Sequence, residues 1–155
     1  MTAEETAAFI LFGVKDGMNL LERNEEISLK RVSASPLALE LMVSGKKFAF
    51  IHVEKRDDCR YNATIETNTP RSGKVENFSA AYDLSGLKSA TLEGDGVALE
   101  TVEVTCPWGD CPSNDASYLA RGALYQLNPA DKETVKADLT AAVESFRKNI
   151  CTGGQ

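Results

Sequence analysis

"LALELMVSGKKFAFIHVEK", Leu37 to Lys55, is the stretch whose reading decides the fold. Leu37, Leu39, Leu41 and Val43 alternate with Ala38, Glu40, Met42 and Ser44. A period of two places the leucines on one side of a half-buried strand. Ser44-Gly45-Lys46 is a tight turn, and Lys47 to Lys55 is a second strand. That strand carries Phe48, Phe50 and His52 on one face and Ala49, Ile51 and Val53 on the other. The pair is an antiparallel hairpin.

The same period continues downstream. After a turn at Arg56 to Asp58, Tyr61, Ala63, Ile65 and Thr67 alternate with Arg60, Asn62, Thr64 and Glu66 in a third strand. "NTPRSGK" (Asn68 to Lys74) is a loop by its Pro, Ser and Gly. A fourth strand is expected over Val75–Asp83, with Phe78, Ala80 and Tyr82 on one face. A fifth, Ser89–Glu93, leads through the Gly94–Gly96 turn to a sixth, Val97–Cys106. In Ala116–Leu127 the spacing of Leu119, Ala123 and Leu127 suits a helix, but Gly122 lies mid-segment, and we read a seventh strand. Upstream, Met18–Ser35 reads as a linker or a short strand, with Ile27 and Leu29 on one side of a weak alternation.

Helices flank the strands. Thr2 and Glu5 form a capping-box pattern opening a helix over Ala3–Lys15, with Gly17 as its stop. Its apolar residues lie on two sides: Ala8, Leu11 and Phe12, then Ala7, Ile10 and Val14. Such a helix is buried between layers or against a partner; core burial is the favoured reading and a homodimer face the alternative. At the other end, Asn128 can cap, Pro129 suits the first helical position and Asp131 the first turn. Val135, Leu139, Val143, Phe146 and Ile150 then form one apolar stripe. The expectation is a single α+β domain over residues 1–155: helix, antiparallel meander of about seven strands, helix. A pleckstrin-homology-like barrel and an open sheet with helices on one face both fit that order.

Composition bounds the function classes. With 155 residues and 43% hydrophobic content the chain can build its own core. The net charge is −6 and the lysines and arginines are scattered, so nucleic acid is not an expected partner. The longest apolar run, Ala7–Val14, is far too short for a membrane span. It follows Glu4 and Glu5, where a signal peptide would be basic. An exported chain would therefore have lost its signal peptide, leaving Met1 as an added residue.

Four cysteines, Cys59, Cys106, Cys111 and Cys151, are the chief chemical feature. In a simple meander, strand parity brings all four to one end of the sheet. Two disulfides, four free structural thiols, or a zinc site with four cysteine ligands would each use that gathering. Structural zinc sites favour two closely spaced pairs, whereas only Cys106 and Cys111 are close here. Disulfides Cys106–Cys111 and Cys59–Cys151 are the preferred arrangement among three pairings, and they imply an oxidising compartment. A redox-active pair is disfavoured because Asp110 and Asp115 flank the loop and would raise a thiol pKa.

The stretch "LNPADKETVKADLTAAVESFRKNICTGG", Leu127 to Gly154, resembles the end of small uncharacterised exported proteins of proteobacteria. The shared features are a cysteine-bearing loop before a last strand, a Pro-started amphipathic helix, and a final cysteine followed by glycine. The resemblance covers the last third of the chain. It implies a bacterial, periplasmic or secreted, disulfide-bonded domain and assigns no functional residue.

No catalytic residue, metal ligand set or cofactor motif is expected: GxSxG, HExxH and P-loop patterns are absent. His52, the single histidine, reads as a core or rim residue. Glu54, Asp57 and Asp58 form an acidic cluster that reads as solvated charge, and "EGDG" (Glu93 to Gly96) as a hairpin turn rather than a calcium loop. Trp108 either covers the cysteine loop or anchors a ligand there. The leading reading is a non-enzymatic exported binding or structural module. The alternatives are a small-molecule-binding protein or enzyme with its site near the Cys106–Cys111 loop, and a cytoplasmic zinc module.

Overall fold

The computed structural model describes residues 1–22, 25–68, 75–93, 96–106, 109–110 and 129–152. Among them are helix α1 (Ala3–Phe12), strands β1 (Asn19–Glu22), β2 (Glu25–Ala34), β3 (Leu37–Val43), β4 (Lys46–Lys55), β5 (Arg60–Asn68) and β6 (Val75–Asp83). There follow β7 (Ser89–Glu93), β8 (Gly96–Glu100), β9 (Glu103–Cys106), β10 (Gly109–Asp110) and helix α2 (Pro129–Ser145), which runs into a π-helical turn, Phe146–Ile150. Eight strands form one antiparallel sheet in the order β1-β2-β3-β4-β5-β6-β9-β10, and β7 and β8 form a separate ribbon. The sheet is open, which excludes the barrel. The seventh strand expected at Ala116–Leu127 lies outside the described residues.

Register explains which strand face turns inward. Ile51 pairs with Leu39 on one side and Ile65 on the other, and Val53 pairs with Leu37 and Ala63. Directly opposed residues share a face, so the leucines of β3 carry Ala49, Ile51 and Val53 inward with them. All of these side chains are buried. Phe50 and His52 are left on the outward, half-exposed face.

Helix α1 packs against β4 on one side and against β8, α2 and the π-helical turn on others. Every residue from Thr6 to Val14 is buried, as an all-round apolar helix requires. The Thr2–Glu5 capping box is present in both directions. The helix ends at Gly13 rather than Gly17: Gly13 takes φ 72° and its N–H donates to the Phe9 carbonyl at 2.8 Å. Val14 can then turn back into the core. Glu4 is 6% exposed, and its carboxylate accepts hydrogen bonds from Leu37 N–H (3.1 Å) and the Ser35 hydroxyl (2.8 Å). A carboxylate in the first turn also suits the helix dipole.

Met18–Ser35 is no linker: it holds β1 and the ten-residue β2. A bulge between Arg31 and Ser33 breaks its period and leaves Val32 51% exposed. The sixth expected strand is two strands. Thr101, at φ 65°, separates β8, which pairs with β7, from β9, which pairs with β6. In α2 the expected stripe is inward: Val135, Leu139, Val143 and Phe146 are buried and Ile150 partly so.

Candidate functional site

The β4–β5 turn is built around Asp57. Its carboxylate accepts from Cys59 N–H (2.9 Å), Arg60 N–H (2.8 Å) and Arg60 Nε (2.6 Å). The Cys59 N–H, and after it the Arg60 side chain, hold the Asp57 carboxyl below its ordinary value. Lys55 Nζ lies 2.8 Å from Asp58, and that hydrogen bond raises the lysine. The acidic cluster read from the sequence is therefore divided: Asp57 and Asp58 are paired with Arg60 and Lys55, while Glu54 stands on the outward sheet face.

Cys59 presents its sulfur from this turn. It is bonded to Cys151, with S–S 2.00 Å and Cα–Cα 4.9 Å. The π-helical turn delivers Cys151, whose N–H closes onto the Phe146 carbonyl at 2.8 Å. Beside the bridge, the Phe146 and Tyr61 rings lie 6.0 Å apart, and the Tyr61 hydroxyl donates to the Asp58 carbonyl at 2.9 Å. Burial pushes the Tyr61 phenol well above its ordinary value, so it stays neutral. Sequence reasoning named the two cysteines of this corner but missed Tyr61 and Asp57 as its supports. Their signal was the strand alternation, which puts Tyr61 inward, and the Asp two residues before Cys59.

Among the described residues, Cys106 does not join Cys59 and Cys151 at one end of the sheet. Strand β9 starts beside Asp83, pairing Glu103 with it, and runs alongside β6 towards Ala80. The extra break at Thr101 reverses the expected direction. Cys106 ends level with Ala80 and Ala63, four residues along β5 from Cys59, or roughly 13 Å at the usual strand rise. Cys106 is 3% exposed on the core side and is disulfide-bonded. Cys111 and Trp108 lie outside the described residues, as do Gly94 and Asp95 of the "EGDG" turn.

On the outward face, the His52 ring stacks on Phe50 at 5.9 Å and 21°. Its cross-strand neighbours are Ala38 and Thr64, and the Thr64 hydroxyl is engaged with Ser79 at 3.2 Å. A shallow depression of about 360 Å³ lies alongside, lined by Glu54, Asn62, Thr64, Ser79, Ala81 and Thr105. Small polar side chains give it hydrogen-bonding capacity, but it lacks walls. Among the described residues, no cluster of three His, Cys, Asp or Glu side chains could hold a metal, and no helix is long and apolar enough to cross a membrane.

No protein-family model, no curated protein and no solved structure matches this chain.

Proposed function

We propose that the chain is a non-enzymatic binding or structural module of an oxidising compartment, periplasmic or secreted. The Cys59–Cys151 disulfide is the observation that carries this reading, because such bonds persist where thiols are not kept reduced. The ending that resembles small exported proteobacterial proteins points the same way. The polar groups of the cysteine corner support a module over an enzyme: Asp57 and Tyr61 direct their hydrogen bonds to the turn that carries Cys59. A zinc module of four thiolates would need Cys59 and Cys151 reduced, and here they are bonded to each other.

The test is intact mass after thiol alkylation of denatured protein made in an oxidising compartment, with and without prior reduction. No adducts before reduction and four after it is the expected result. Four adducts in both conditions would overturn the reading.

A further inference from the structure

The Cys59–Cys151 bridge joins the compact β4–β5 turn to the end of α2, which of the two described helices has the narrower buried stripe. Helix α2 buries one side chain per turn, and most of its other described side chains are exposed. Along its C-terminal half an open groove of about 570 Å³, floored by Phe9, Ala142 and Ile150, separates it from α1. Across that groove runs the ion pair Lys15–Asp138 at 3.7 Å, with the two side chains 44% and 45% exposed. Such a pair is weak in water. We propose that the bridge is a redox latch on α2. Closed, it holds α2 against α1 and the β7–β8 ribbon. Open, it lets α2 leave while the sheet and α1 stay folded.

The latch can be reached from solvent. Cys59 is partly exposed, whereas Cys151 is 2% exposed. Asp57 and Asp58 beside it are paired with Arg60 and Lys55, so an approaching thiolate does not meet two unpaired carboxylates. A dithiol reductant attacks the Cys59 sulfur, the S–S bond breaks, and Cys151 leaves as a thiolate that takes up a proton. The second thiol of the reductant then closes the reductant's own disulfide and frees Cys59. Two electrons pass from the dithiol, which is oxidised, to the bridge, which becomes two thiols. Leu139 and Phe146 would then lift away with α2, uncovering the α1 side of the groove at Phe9.

This inference rests on the oxidising-compartment reading. Its test is amide hydrogen exchange of the full chain and of the C59S/C151S variant, which leaves Cys106 untouched. In the bridged protein, amides of residues 135–150 and of β3–β6 should be protected to within about tenfold of each other. In the variant, those of 135–150 should exchange at least about 100-fold faster than those of β3–β6, as expected for a cooperative local opening. Equal acceleration of both sets, no acceleration of either, or loss of the sheet's far-UV signal in the variant would each overturn the latch. The two readings fail distinguishably: four free thiols in protein from an oxidising compartment would overturn the compartment and the latch together, whereas bridged protein whose exchange does not separate α2 from the sheet would overturn the latch alone.

Discussion

In α1 every side chain from Thr6 to Phe12 is buried; in α2 burial is confined to one residue per turn. Both helices lie on the core side of the same sheet. The first sits between layers and is held by surface on all sides, with its capping box, Gly13 and the buried Glu4 carboxylate fixing its ends. The second is held against α1 and β7 by a stripe, and its far end carries the covalent tie. The Cys59–Cys151 bond thus ties down the helix with the narrower buried stripe.

The largest effect that could break this comparison is removal of the tie. The C59S/C151S variant should lose about 4–5 kcal/mol of unfolding free energy by the chain-entropy estimate for so long a loop. Urea titration of the two proteins measures it, and a loss below about 1 kcal/mol would mean that stripe packing alone holds α2. Matched truncations sharpen the contrast. Leu11 and Leu139 are both fully buried. Leu11→Ala should cost about 4 kcal/mol and Leu139→Ala about 2.5 kcal/mol, because a helix held on one stripe can settle into the space more completely than one enclosed on all sides. Equal costs would show that α2 is as rigidly packed as α1.

Glu4→Ala tests the polar anchor of α1. It would leave the buried Leu37 N–H without its carboxylate, at a cost of about 2–3 kcal/mol in the same titration. The smallest effect concerns the turn that bears Cys59. Asp57 has a folded pKa below its unfolded value of about 3.9, chiefly because Cys59 N–H bonds the carboxylate. Its contribution is therefore complete above that pH and is lost as pH falls through the folded value. Asp57→Asn should flatten stability against pH below about 4 and leave the slope near neutrality unchanged. An unchanged acid limb would mean that the turn does not depend on that carboxylate's charge.

The sequence made the regular parts legible. Alternation over Leu37–Thr67 located three strands, and the four-four-three-four spacing from Val135 located the last helix and its inward stripe. Thr2 and Glu5 announced their capping box. The illegible parts are those where one residue breaks a period. The bulge at Val32 disguised β2 as a weak alternation. Both faces of β4 are apolar in sequence, so only pairing with Leu39 and Ile65 could choose Ile51 over Phe50. Thr101 gave no warning, since a β-branched residue is a poor predictor of a positive φ. That miss cost the cysteine geometry its parity. Of the corner site, the two cysteines could be read, but not the Asp57 and Tyr61 hydrogen bonds, which depend on tertiary packing.

The break at Thr101 has one more consequence. Asp83 and Glu103 are direct partners in the main sheet, although the whole β7–β8 ribbon lies between them in the chain. Without the ribbon, β6 and β9 would be the arms of an ordinary hairpin and the meander would run uninterrupted. The ribbon is thus an excursion from a finished sheet, sent out to pack β8 on α1 and β7 on α2 and then brought back to the strand next to the one it left.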